Sequence, residues 1–94
     1  MNLGSAVKKL RKYKNLSQED LARVSKLSQT TISLIESGKT TPFSGTIKRI
    51  ASSLDTSEYI IYLLSMEEED VPPNKKEKFD TLFPVLETLI KQLI

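Results

Sequence analysis

In the stretch Ser28-Gln29-Thr30-Thr31-Ile32-Ser33-Leu34-Ile35-Glu36-Ser37-Gly38-Lys39, three side chains stand out for what they can do. Gln29 carries an amide that donates and accepts hydrogen bonds together, and Thr30 and Ser33 carry hydroxyls that do either. Ile32 and Ile35 fall at i, i+3, so a helix here buries one face and leaves the three polar residues opposite. A soluble protein usually places Lys and Glu on such a face. The chemistry on offer is directional hydrogen bonding rather than bond making. Reactive groups are scarce in the rest of the chain. There is no His and no Cys, so the most frequent general base, the most frequent metal ligand and any disulfide framework are absent. No Gly-rich phosphate loop and no paired carboxylates in a cleft are evident. Glu67, Glu68, Glu69 and Asp70 lie on a linker and make a poor metal site. The expectation is therefore no enzyme, no metal and no cofactor.

The elements that must hold this face can be read from start and stop signals. Ser28 can cap a helix and Gly38 can end it. Upstream, Leu3, Ala6, Val7 and Leu10 alternate with Lys8, Lys9, Arg11 and Lys12, which predicts a basic amphipathic helix over 3–14. Asn15 suits the left-handed position after it. Ser17 followed by Gln18-Glu19-Asp20 is a strong start for a second helix, with Leu21, Ala22 and Val24 on its apolar side. Ser25-Lys26-Leu27 forms the break before the third. A fourth helix over about 44–54 carries Ile47, Ile50, Ala51 and Leu54, and a fifth begins at Glu58 after Thr56 or Ser57. Its sequence EYIIYLLS is apolar nearly all round, as in a helix buried on more than one side. MEEEDVPPN, residues 66–74, reads as an exposed acidic and proline-bearing linker. A last helical pattern runs from Phe79 to Leu93, and Pro84 either kinks it or begins a separate helix. The division is 1–65, 66–74 and 75–94.

Charge is distributed unevenly. Residues 1–53 carry ten Lys or Arg against three Asp or Glu, a net +7. Residues 54–94 carry four Lys against nine Asp or Glu, a net −5. A basic front favours a polyanionic partner, and an acidic rear faces away from it. The longest apolar run, residues 59–64, is far short of the ~20 residues of a membrane span, and MNLGSAVKKL lacks the layout of a secretory signal. A cytoplasmic, nucleoid-associated location is expected.

The stretch LRKYKNLSQEDLARVSKLSQTTISLIESGKTTP resembles the Cro/lambda-repressor type of helix-turn-helix domain, the xenobiotic-response-element family, over residues 3 to 64. The resemblance implies an all-α fold, a five-helix lambda-repressor-like DNA-binding domain with an appended C-terminal helix. It departs from the family pattern at Lys26, where Gly is usual, and at Ser25, where a large apolar residue is usual. A non-glycine residue in the left-handed region costs of order 1 kcal/mol, so the fold tolerates it. The resemblance further implies that the third helix enters the DNA major groove while the second crosses the backbone. The expected base-contacting residues are Ser28, Gln29, Thr30, Ser33 and Leu34. A Gln amide matches the N6/N7 edge of adenine, and Leu34 either packs on a thymine methyl or belongs to the core. Ser17, Gln18, Ser37, Lys39, Thr40 and Thr41 are expected against phosphate, through side chains and free backbone amides. Arg11 and Glu36 match a pair that is structural in the family.

One small module reads few base pairs, so a homodimer on a near-palindromic double-stranded operator is expected. Leu82, Phe83, Leu86, Leu89, Ile90 and Leu93 supply apolar surface for it, with Tyr59 and Tyr62 as their receptor in the same or the partner chain. The alternative is that the last helix folds back on its own core. In function, a transcriptional regulator, most simply a repressor, competes with an interaction protein. The latter would act as an antitoxin or antagonist through a protein partner at the C-terminal helix.

Overall fold

Most helices of the chain begin or end at residues whose chemistry accounts for the boundary. The computed structural model describes all 94 residues and contains only helical elements: α1 (Leu3–Tyr13), α2 (Gln18–Ser25), α3 (Gln29–Glu36), α4 (Ser44–Ser53), α5 (Glu58–Leu64) and α6 (Lys76–Leu93). Two single 3-10 turns, Glu68–Asp70 and Pro73–Lys75, precede α6. Ser17 and Asp20 form a reciprocal capping box at α2, and Ser28 and Ser57 cap α3 and α5. Thr56 does not cap α5. α4 starts at Phe43 with no side-chain cap. Asn15 and Lys26 adopt left-handed backbone after α1 and α2, with φ of 57° and 60°, as the sequence predicts. Asp55 does the same after α4, a stop signal that sequence reasoning overlooked.

The core gathers the inward faces of all six helices. Val7 and Leu10 of α1, Leu21 of α2, Ile32 and Ile35 of α3, Ile47 and Ile50 of α4, and Ile61 of α5 are buried together. Removing this apolar area from water is the main force holding α1–α5, which at 7–11 residues are too short to be stable alone. Gly4 shows how tightly α1 crosses α3. A Cβ built at Gly4 would collide with the Ile35 carbonyl oxygen, so only glycine fits this contact. Nothing in the sequence pattern singled it out.

α6 settles two open alternatives. It runs unbroken from Lys76 to Leu93 with Pro84 inside it, so Pro84 does not begin a separate helix. It also lies back on its own chain. Ile90 is 1% exposed and belongs to the same core as α1–α5, with Leu86 and Ile94 packed against it. Ile90 is therefore withdrawn from the dimerisation set: a side chain buried inside one protomer has no area left for a second. Lys9 Nζ of α1 meets Glu87 Oε2 at 3.1 Å, and Lys91 Nζ lies 4.7 Å from the centre of the Tyr13 ring. The seat of α6 thus includes α1, which the sequence did not nominate beside Tyr59 and Tyr62. Residues 66–74 are a bend with structure of its own, and both 3-10 turns touch α6. No helix of the chain is long and apolar enough to cross a membrane.

Candidate nucleic-acid interface

α3 is two turns long, and its orientation is settled by what it buries. Ile32 and Ile35 are inside, and Gln29, Thr30, Ser33 and Leu34 are exposed on the other side. Leu34 is 37% exposed, which removes the reading of it as a core residue. Ser28 is exposed too, but its hydroxyl is engaged: it accepts from the Thr31 amide at 3.0 Å and shares a 2.8 Å contact with the Thr31 hydroxyl. The side chains of Gln29, Thr30 and Ser33 make no hydrogen bond within the protein. Gln18, Gln29, Thr30, Ser33 and Leu34 line one shallow depression, so residues from α2 and α3 meet on a common surface.

A charged network beneath that surface fixes the angle of the three helices. Arg11 Nε donates to Glu36 Oε2 at 2.7 Å, and Arg11 Nη2 to Glu36 Oε1 at 2.9 Å. Arg11 Nη1 donates to the Leu16 carbonyl at 2.7 Å. The fork matches the carboxylate bidentately. Hydrogen bonding to Glu36 raises the Arg11 pKa above its ordinary value against the opposing effect of burial. Gln18 is the third member, because its Nε2 donates to Glu36 Oε1 at 3.2 Å. This engages the Gln18 amide nitrogen, while its side-chain oxygen makes no hydrogen bond within the protein. The sequence paired Arg11 with Glu36 but gave Gln18 only a phosphate role.

The two segments expected against phosphate differ from expectation in their backbone. At the start of α2, the Ser17 amide donates to Asp20 Oδ2 at 3.0 Å while Ser17 Oγ accepts from the Asp20 amide at 3.0 Å. The Ser17 amide and hydroxyl, with Arg23, hold the Asp20 carboxyl below the usual carboxylate range. An ionised carboxylate thus occupies part of this helix N-terminus, and the Gln18 and Glu19 amides are left without a partner in the chain. After α3, the Ser37 amide bonds the Ser33 carbonyl, Gly38 bonds Ile35, and Lys39 and Thr40 both bond Leu34. The Ser37 hydroxyl also donates back to Leu34. The expected cradle of free amides in this loop is therefore corrected in part: a tight exit with Gly38 at φ 78° engages the amides of residues 37–40, and only that of Thr41 is left without a partner in the chain. What remains outward are the Lys39 ammonium and the Thr40 and Thr41 side chains, all exposed.

Set beside known proteins, the chain matches a family model described as helix-turn-helix, of the Cro/C1 type, over residues 7–61. No curated protein and no solved structure matches it.

Proposed function

The chain belongs to the Cro/C1-type helix-turn-helix family, a family of DNA-binding regulatory domains, and from that premise we propose that it is a sequence-specific transcriptional repressor. It binds a near-palindromic double-stranded operator as a homodimer, in the cytoplasm on the nucleoid, with α3 in the major groove. One observation carries the reading. The polar groups of Gln29, Thr30 and Ser33 are exposed, unpartnered and gathered on one surface with Gln18. Base edges present matching donors and acceptors in the major groove, whereas solvent imposes no such pattern.

Within this reading each residue has a distinct task. Gln29 takes the adenine N6/N7 edge, Thr30 and Ser33 contact base edges directly or through water, and Leu34 packs on a thymine methyl. Ser28 works as a cap more than as a contact. The Gln18 and Glu19 amides, Lys39, Thr40 and Thr41 hold phosphate and set the register of α3 without reading sequence. The network of Arg11, Glu36 and Gln18 keeps α1, α2 and α3 at a constant angle, so base contacts and phosphate contacts engage together.

The test is selection of bound sequences from a random duplex pool at about 150 mM salt, where non-specific charge binding is weak. The expected outcome is an enriched inverted repeat with half-site centres about 10 base pairs apart. Recovery of unenriched, purely salt-sensitive binding would overturn the sequence-specific reading and favour a protein partner as the main target.

A further inference from the structure

Residues 54–94 carry a net −5, yet an apolar groove along the first half of α6 has lysines as its only charged border. Phe79, Leu82, Phe83 and Leu86 line it from α6, and Met66 and Val71 line it from the preceding bend. It encloses about 340 Å³, the size of a small-molecule site. The α6 side is preformed. The rings of Phe79 and Phe83 stack 4.9 Å apart, Phe83 also meets Lys9 Nζ of α1 at 5.7 Å, and Leu86 packs on the core. Lys75 and Lys78 complete the lining, and no Asp or Glu takes part in it. Neither lysine is in an ion pair within the chain. Leu82 also begins an outward row with Val85, Leu89 and Leu93, 53–75% exposed, and those three lie outside the groove.

We infer that this groove binds a medium-chain aliphatic carboxylate, with the hydrocarbon tail along α6 and the carboxylate at Lys75 and Lys78. Order along the helix carries the inference. The α6 lining residues 78, 79, 82, 83 and 86 share one face by their 3-4 spacing. From Lys78 to Leu86 is eight residues, a run of about 12 Å at a rise of ~1.5 Å each. Both lysines stand at one end of that run, and the rest of it is apolar. A linear molecule with one anionic end and a hydrocarbon body repeats this order. Its tail covers phenylalanine and leucine surface that water otherwise meets. Its carboxylate stays at the wet rim, where a lysine lays its stem on apolar surface and keeps its ammonium in solvent. An alkyl cation meets two like charges at the same rim, and a small hydrophilic anion leaves the apolar length unfilled. The site is remote in kind from the face of α3, and the inference does not draw on the regulator reading.

The experiment is isothermal titration of the 94-residue chain, without DNA, with sodium decanoate below its micelle-forming concentration. Acetate and decyltrimethylammonium are titrated beside it. Decanoate should saturate at one per chain, acetate should give no heat of binding, and decyltrimethylammonium should bind at least about 10-fold more weakly. Leu82→Glu should lower decanoate affinity at least about 10-fold, since it sets a like charge in the groove. Val85→Glu adds the same charge outside the groove and should leave affinity nearly unchanged. Lys75→Gln combined with Lys78→Gln should weaken decanoate about 5-fold without weakening the cation. All these positions are exposed, so helical signal and urea midpoint should match the wild type. A wild type that takes no decanoate would overturn the inference, as it would if a second copy or a protein partner's helix fills the groove. So would equal affinity for anion and cation, a Val85→Glu loss as large as that of Leu82→Glu, or a lysine variant that binds decanoate as the wild type does. None of these outcomes touches the regulator reading, which stands or falls on the selected sequences.

Discussion

α3 and α6 each bury one side and present another, and the two presented sides are opposites. On α3 the outward residues are hydrogen-bonding groups without partners inside the protein, and the apolar share is one leucine, Leu34. On α6 they are four large aliphatic side chains in a row. Hydrogen bonds are directional, so the face of α3 can discriminate among partners of similar shape. Apolar burial is non-directional, so the exposed row of α6 offers area rather than a pattern of donors and acceptors. The contrast separates the two jobs of the proposed regulator: specificity at the front, assembly at the rear.

The sharpest way to break the front is through its support. Arg11→Ala leaves the Glu36 carboxylate, whose side chain is 3% exposed, without its partner. Removing one member of such a pair costs about 3–5 kcal/mol. Urea unfolding should show that loss, and DNA binding should fall with it. A variant as stable as the wild type would mean the network does not hold the helices. The rear can be tested in the same way. Ile90→Ala should cost about 2–4 kcal/mol in urea unfolding, because it opens a cavity where α6 enters the core. A loss below about 1 kcal/mol would show that α6 is an appendage and that the core stops at α5.

Contacts at the front should separate by kind. Gln29→Ala should weaken the selected operator by about 1–3 kcal/mol and relax preference at one base pair, with stability unchanged. Lys39→Ala should weaken all duplexes alike and reduce the slope of log affinity against log salt by about 1. Titrating both variants against cognate and scrambled duplexes checks this; equal losses on both duplexes for Gln29→Ala would remove it from base readout. The smallest effect concerns pH. Asp20 has a folded-state pKa below its unfolded value, so its cap adds stability above the unfolded pKa of about 3.9. That contribution fades as pH falls through the lower folded value and is constant near neutrality. A carboxyl NMR titration should place the Asp20 midpoint below that of an exposed Asp, and Asp20→Asn should flatten the acid-side loss of α2. A midpoint at the ordinary value would dissolve the capping box as an energetic feature.

Much of this was legible from residue order because local rules governed it. Ser17, Ser28 and Gly38 mark helix ends by capping chemistry that involves only a few neighbouring residues. The i, i+3 placement of Ile32 and Ile35 determined which side of α3 faces outward. The match between LSQEDLA…TISLIESGK and the helix-turn-helix pattern carried the family. Other features depended on atoms distant in sequence. Gly4 is required only because α1 crosses the Ile35 carbonyl, and Gln18 joins Arg11 only because Glu36 arrives between them. The amides of Lys39 and Thr40 were counted as free because a sequence does not display the turn that consumes them. α6 is the clearest case. Its apolar residues were plain in the sequence, but a broad apolar face does not say which part of it meets its own core. That choice is made by packing among Ile90, α1 and the turns of residues 66–75, and so by tertiary structure alone.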